Sequence, residues 1–182
     1  MVTTSKRLSF AEYLDYSDGT DTHYELVEGE LFPMALPTGN HGRLIKLLEK
    51  LLDAEIEKAN LPYIAVWDVG VRCGSDTVRI PDLIVMQLSD WEYLQDKPAV
   101  LDLDRYPLLV VEVVSPSTQN IDYRTKRSEY AVRDIPEYWL VDPLDNKISV
   151  LVNTDRWYDL QEYSLGEAIV SPLFGTLTVF KN

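Results

Sequence analysis

The stretch LLVVEVVSPSTQNIDYRTK, residues 108–126, decides the fold. Its first seven residues are apolar except for Glu112, and this composition is typical of a central β-strand covered on both faces. A carboxylate inside such a strand is costly unless it is paired, protonated or bound to a cation. Glu112 therefore predicts a partner elsewhere in the chain.

The composition is that of one ordinary globular domain. Of the 182 residues, 46% are hydrophobic and 26% are charged, and no Gly/Ser-rich or Pro-rich linker divides the chain, so we expect a single domain over residues 1–182. No segment approaches the roughly 18 to 20 continuous apolar residues of a membrane helix, and residues 1–16 lack the apolar core of a signal peptide. The lone Cys73 predicts neither a disulfide nor a zinc site. We expect a soluble cytoplasmic protein with no membrane partner.

The charge of the chain disfavours polyanionic partners. Thirty acidic and 17 basic residues give a formal net charge of -13, which repels nucleic acid over about a Debye length, roughly 8 to 10 Å. Four basic residues nevertheless crowd together between positions 124 and 133. On charge grounds this cluster is interpreted as a solvated helix face.

Helices and strands are interspersed along the chain. Ser9 and Glu12 predict a capped short helix, the Glu28-Gly29 pair predicts a hairpin turn, and apolar spacing predicts a long helix over 41–60. The fold class expected is α/β (α+β), a central mixed β-sheet flanked by helices with additional β-hairpins. The other predicted elements are one strand each over 63–73, 77–87 and 108–114, a helix over 120–133 with core positions Ile121, Tyr130 and Val132, a hairpin around 142–146, and short strands over 156–164 and 177–180.

A second carboxylate lies at the start of another apolar strand. Asp82 follows Pro81 and precedes LIVM, residues 83–86. Two acids on adjacent buried strands either repel, which raises one pKa, or share a divalent cation. A purely structural alternative makes Glu112 half of a buried ion pair with Arg79 or with Lys126.

Lys126 is the third candidate. On a helix over 120–133, Asp122, Lys126 and Tyr130 are spaced i, i+4, i+8 and share one face. A lysine aimed at the end of the strand would orient a water and offset charge on a phosphate. In the alternative, Asp122 and Lys126 form only a surface pair contributing roughly 0.3 to 0.5 kcal/mol.

These motifs, taken in order, resemble the Uma-two family, which belongs to the restriction-endonuclease-like superfamily with the PD-(D/E)xK signature. The resemblance covers about Tyr24 to Pro143. The motifs that carry it are YELVEGEL, His41 at the start of a helix, IPDLIVM, VVEVVSPST, then Asp122, Lys126 and Tyr130, and IPEYWLVDP.

The resemblance implies a restriction-endonuclease-like core and a metal site. Asp82 matches the D of the PD element and Glu112 matches the (D/E) element, so both would ligate Mg²⁺ (or Mn²⁺) with the backbone carbonyl of Val113. Val114 occupies the position of the usual lysine. Lys126, on the following helix, is then the counterpart of that lysine.

Glu25 and His41 also fall on motif positions of the family. Glu25 resembles the additional N-terminal acid of such nuclease sites, and its alternative interpretation is an exposed hairpin residue. His41 alternatively serves only the start of its helix. Because no GxSxG elbow is present, water is the expected nucleophile.

The function implied is a Mg²⁺-dependent endonuclease that hydrolyses phosphodiester bonds of DNA. Given the net charge, we expect weak, salt-sensitive DNA association, in which the basic cluster contacts phosphate. A homodimer is a further expectation. The alternative is a catalytically inactive nuclease fold that serves as a binding module for protein or nucleic acid.

Overall fold

A computed structural model describes residues 7–179. In chain order the elements are α1 (Phe10–Leu14), β1 (Tyr24–Val27), β2 (Glu30–Pro33), α2 (Gly39–Lys58), β3 (Tyr63–Val66), β4 (Gly70–Gly74), β5 (Thr77–Arg79), β6 (Leu83–Gln87), α3 (Leu88–Leu94), β7 (Val100–Leu101), β8 (Leu109–Val113), a π-helical segment (Ile121–Lys126), α4 (Arg127–Val132), β9 (Glu137–Asp142), β10 (Lys147–Thr154), β11 (Trp157–Ser164), β12 (Ala168–Ser171) and β13 (Gly175–Thr178).

A six-stranded sheet forms the centre of the molecule, with strand order β11-β10-β9-β8-β6-β3. Its strands pair antiparallel except for β8 and β9, which run parallel. A parallel pair requires a crossover, and the π-helical segment and α4 supply it. Every residue of β8 and β9 is buried, as the apolar composition of residues 108–114 predicts for a strand covered on both faces.

The long helix α2 covers one face of this sheet. Its buried residues recur every fourth position, and the hydroxyl of Thr38 caps its first turn by accepting from the backbone N–H of His41 at 3.2 Å. The hairpin β12–β13 packs into the same core cluster. The buried residues of α2 are Leu44, Leu48, Leu52 and Ile56.

The opposite face is covered by α3, α4 and part of a second sheet. This sheet has five strands in the order β2-β1-β5-β4-β7. Tyr130 of α4 is fully buried, and its ring lies edge to face with that of Tyr138 at 5.1 Å between centroids. The second core cluster therefore lies between the two sheets, next to the crossover.

The predicted mixed α+β fold is confirmed, together with the capped first helix, the Glu28-Gly29 hairpin, the long helix and the hairpin at 142–146. The single strands predicted over 63–73 and 77–87 are wrong, because each range contains two strands that join different sheets. Ile121 and Val132 were also predicted wrongly, since they are exposed. The last predicted strand, 177–180, ends with Phe180, which lies outside the described residues.

Over residues 7–179, no helix combines the length and the apolar character needed to cross a bilayer.

Candidate active site

Asp82 and Glu112 face each other at one end of the six-stranded sheet. Leu83 pairs with Val111 in the antiparallel ladder, so one further step of the register sets Asp82 opposite Glu112. The backbone N–H of Val113 donates to Asp82 Oδ2 at 2.7 Å. The predicted proximity of the two acids therefore follows directly from the pairing of β6 with β8.

Lys126 is the partner that Glu112 requires. Its Nζ donates to Glu112 Oε1 at 2.7 Å, and the hydroxyl of Tyr130 donates to the same oxygen at 3.0 Å. All three side chains are buried. The crossover thus brings a lysine and a tyrosine to the carboxylate of the strand that precedes it.

Asp122 is buried beside the same ammonium group. Its Oδ1 lies 3.5 Å from Lys126 Nζ and accepts no hydrogen bond within residues 7–179. The interpretation of Asp122 and Lys126 as a surface pair is wrong, since their side chains are only 1% and 7% exposed. The π-helical segment places both groups inside the protein, as such segments frequently do at functional sites.

The carboxylates outnumber the ammonium group that they surround. Burial raises the pKa of the Glu112 carboxyl well above its ordinary value; Lys126 opposes this shift, and Asp122 and Asp82 add to it. Burial also raises the pKa of Asp122. Burial alone would lower the pKa of Lys126, but the charges of Glu112, Glu25 and Asp122 outweigh it, and the net shift is upward. The lysine therefore stays charged at neutral pH, and the acid cluster favours an additional proton or cation.

Glu25 lies on β1, a strand of the neighbouring five-stranded sheet, and its side chain reaches the site. Its Oε1 lies 3.5 Å from Lys126 Nζ and accepts from the backbone N–H of Ile80 at 3.1 Å, while Oε2 accepts from Arg79 Nη1 at 2.9 Å. Arg79 also forms a two-pronged pair with Glu129 of α4, at 2.7 and 2.8 Å. The proposed pairing of Arg79 with Glu112 is therefore wrong. Glu25 is thus fixed by Arg79 and Ile80 and contacts Lys126, which suits it to position the ammonium group.

His41 contacts the other acid of the pair. Its Nε2 lies 2.9 Å from Asp82 Oδ1, and this hydrogen bond raises the pKa of the imidazole above its ordinary value, with burial opposing the shift. His41 therefore does more than serve the start of its helix. The first turn of α2 brings the imidazole to the Asp82 oxygen that Val113 leaves free.

The basic cluster between residues 124 and 133 is not a uniform solvated face. Lys126 is buried in the site, and Arg127 donates to the carbonyl of Tyr158 at 3.0 Å. The guanidinium of Arg133 donates to four backbone carbonyls, including that of Arg72 at 2.8 Å. Only Arg124 of this cluster is exposed. The cluster therefore offers phosphate much less charge than its composition indicates.

The donor set fits a hydrated Mg²⁺ ion. Mg²⁺ usually takes one or two carboxylates and completes its shell with water and substrate phosphate. Asp82, Glu112 and the carbonyl of Val113 supply hard oxygen atoms, and the unsatisfied Oδ1 of Asp122 adds negative charge nearby. Within residues 7–179, no group of three or more His, Cys, Asp or Glu side chains could hold a metal ion. Two carboxylates and one carbonyl are a donor set that Mg²⁺ accepts when water completes its shell.

Some members of this network lack a signal in the sequence. The pairing of Glu129 with Arg79 joins two distant parts of the chain, and no spacing rule predicts it. Tyr130 is predicted both as a core residue and on the helix face of Lys126, but its hydrogen bond to Glu112 is not predicted. The shared helix face with Lys126 was the available signal for Tyr130, because it places the phenol beside the ammonium group.

Comparison with known proteins gives a consistent assignment. The solved structure of a "putative nuclease belonging to DUF820" from Anabaena variabilis superposes with a TM-score of 0.74 over 94% of this chain and 95% of that chain, at 15% identity, and therefore supports the fold. An uncharacterized protein, sll1609 of Synechocystis sp., is 30% identical over 148 residues, which are 78% of each chain. The model of the Uma2 family, described as "Putative restriction endonuclease", matches residues 10–179. This chain therefore belongs to the Uma2 family, and the resemblance that its motifs indicated is confirmed.

Proposed function

We propose that the protein is a Mg²⁺-dependent endonuclease that hydrolyses phosphodiester bonds of DNA. One observation carries the proposal: Lys126 lies 2.7 Å from Glu112, and Glu112 stands beside Asp82 at the end of two paired strands. Membership in the Uma2 family supports the same class of reaction. Water is the nucleophile, and the reaction consumes one water, breaks one P–O bond, and leaves a phosphate monoester and a hydroxyl group.

Each side chain has a distinct role in this proposal. Asp82 and Glu112 hold the cation, which when bound polarises the scissile phosphate and a water. Lys126 orients the attacking water and offsets the negative charge that develops on the phosphate. His41 and Tyr130 fix the two carboxylates through their hydrogen bonds. Glu25, held by Arg79, keeps the ammonium group of Lys126 in place.

The test is cleavage of supercoiled plasmid with Mg²⁺ or Mn²⁺ over a range of salt. We expect nicked and linear products with the wild type, and loss of both with EDTA, with Asp82→Asn and with Glu112→Gln. Glu137→Gln is the matched control: Glu137 is a buried carboxylate on the adjacent strand, but it pairs in register with Leu109, at the opposite end of β8 from Glu112. This variant should cleave like the wild type.

The alternative is an inactive nuclease fold that binds a partner. Intact plasmid under every condition, with protein shown to be folded, contradicts the endonuclease. A ligand that binds only the folded state must raise the unfolding midpoint. Absence of any shift with millimolar Mg²⁺ would therefore favour the binding module.

A further inference from the structure

A wide groove opens beside the acid pair and has no role in the proposed chemistry so far. Its volume is about 830 Å³, and its lining includes Pro81 and Asp82, so the groove is continuous with the candidate active site. Its wall also includes Met34, Leu36 and Trp67. These three side chains are 39%, 96% and 59% exposed, which leaves a large apolar surface in contact with water. An apolar surface of this kind, continuous with a site, indicates a ligand-binding region.

Trp67 lies one position away from the row of residues that contains the two acids. Val66 pairs with Ile84 in the antiparallel ladder of β3 and β6, so the next step sets Trp67 opposite Leu83, adjacent to Asp82. Glu112 follows one strand further along. Neighbouring strands are about 4.8 Å apart, so Trp67 and Asp82 lie within the span of about one nucleotide, and Glu112 lies one strand spacing further away.

The charge of the groove disfavours a phosphate as the occupant of its apolar part, away from Asp82. Asp21, Glu49 and Asp68 line it, in addition to Asp82, whereas Lys46 is its one lysine or arginine within residues 7–179. A phosphate would be repelled by this wall, but an uncharged nucleobase would not. A planar base has an apolar face that stacks on an indole, independently of its sequence.

We infer that this groove binds an unpaired nucleobase stacked on Trp67, so that the substrate is single-stranded or locally unpaired DNA. The inference rests on the proposed endonuclease function and specifies its substrate class. In a duplex, each base is stacked between its neighbours, so its face is not free to contact Trp67. Stacking also provides binding energy that a chain with a net charge of -13 does not gain from phosphate contacts.

The experiment measures binding of a fluorescein-labelled thymidine oligonucleotide by anisotropy, in EDTA, with the full chain. The same oligonucleotide in a duplex and an abasic oligonucleotide with the same number of phosphates are the comparison ligands. We expect tighter binding of the single strand than of either. Trp67→Ala should weaken single-strand binding about tenfold, the order of magnitude for the loss of one base stack, and Trp67→Phe should restore much of it.

Trp157→Ala is the matched control. Trp157 is 68% exposed, similar to Trp67, but it lies on β11 at the far edge of the central sheet. This variant should bind like the wild type. Because stacking is not ionic, the ratio of affinities between wild type and Trp67→Ala should stay constant between about 50 mM and about 200 mM salt, while both affinities fall.

The possible outcomes separate the inference from the proposed function. Equal binding of the duplex, the abasic strand and the single strand, or no effect of Trp67→Ala, overturns the inference. So does a wild-type dimer in light scattering that Trp67→Ala converts to a monomer without changing DNA binding, because a second copy then fills the groove. A different result would be single-strand binding that depends on Trp67 but no metal-dependent cleavage. This result would contradict the proposed endonuclease function and support the inferred nucleobase site.

Discussion

Lys126 donates a hydrogen bond to Glu112 from a position fourteen residues later in the chain, and the two atoms are 2.7 Å apart. The same ammonium group also lies 3.5 Å from both Glu25 and Asp122. One buried cation therefore balances several buried acids. The consequences of this imbalance are measurable in the metal-free protein.

Removing the cation should destabilise the protein far more than removing one acid. Lys126→Met leaves Glu112 and Asp122 without their counter-charge, whereas Glu25 keeps Arg79, so we expect a loss of about 3 to 5 kcal/mol in the free energy of unfolding at neutral pH. Glu112→Gln should cost less than about 1 kcal/mol, because the amide oxygen still accepts from Lys126 and Tyr130 while Lys126 keeps Glu25 and Asp122. Urea denaturation in EDTA measures both. Equal losses would mean that Glu112 and Lys126 form an isolated structural pair.

The metal-free protein should lose stability as pH rises from about 5 to 8. Burial raises the pKa of Glu112, Asp122 and Glu137, and the Asp82 hydrogen bond raises that of His41. Each group binds its proton more tightly in the folded than in the unfolded state, so the free energy of unfolding must fall with increasing pH. For the acids, the loss begins above an unfolded pKa of about 4, and for His41 above about 6.5.

Thermal unfolding in EDTA across this pH range provides the test. Glu112→Gln should give a shallower dependence, since it removes a group whose pKa is raised by burial and by its acidic neighbours. Asp18 and Asp102, whose pKa values are lowered, act only below about pH 4 and do not affect this window. A thermal unfolding midpoint that rises between pH 5 and pH 8 would contradict the predicted loss of stability.

Divalent cations should reverse this loss. Mg²⁺ at millimolar concentration should raise the unfolding midpoint, and should do so more at pH 8 than at pH 6, because protons compete with the cation for the carboxylates. Differential scanning fluorimetry with and without Mg²⁺ measures the effect. Asp82→Asn should remove it, whereas Glu137→Gln should retain it. A shift of the same size in Asp82→Asn would place the cation elsewhere.

His41 should act as a positioning residue. His41→Ala removes the hydrogen bond to Asp82, so we expect plasmid cleavage to fall about 10- to 100-fold and the Mg²⁺ concentration for half-maximal rate to increase. His41→Asn, which retains a donor, should recover part of the activity. Lys58→Ala, at the exposed far end of the same helix, is the control. A lower rate with an unchanged Mg²⁺ requirement would show that His41 does not act through Asp82.

The features that could be predicted from the sequence are those whose energetic cost depends on residues close together in the chain. A charge within residues 108–114 demands a partner, and the helix that follows supplies Lys126 within the same short segment, so both could be predicted. Asp82 was recognisable for the same reason, at the start of an apolar strand. The two hairpins and the helix α2 were predictable from turn residues and apolar spacing, which also depend only on neighbours in the chain.

Tertiary features were not predictable in this way. The chain leaves the central sheet after Val66 through Trp67 and Asp68, whose φ is 60°. It enters the second sheet at Gly70, where a Cβ would meet Val100 and Val78 at 3.0 Å. A change of sheet depends on packing rather than on local propensity, so residues 63–73 resembled one strand. The pairing of Arg79 with Glu25 and Glu129 likewise depends on how the second sheet packs against α4.

The π-helical segment also has a consequence for how the chain tolerates changes in length. A π-helical turn holds one residue more than an α-helical turn, since its hydrogen bonds span five residues rather than four. Deleting the exposed Thr125 would let the segment Ile121–Lys126 relax into an ordinary α-helix and change the orientation of Asp122 relative to Lys126. Such a deletion variant should keep its fold, measured by circular dichroism, yet lose cleavage. Thr125→Ala should preserve both the fold and cleavage. The orientation of Asp122 would then depend on the additional residue in the segment and not on the side chain of Thr125.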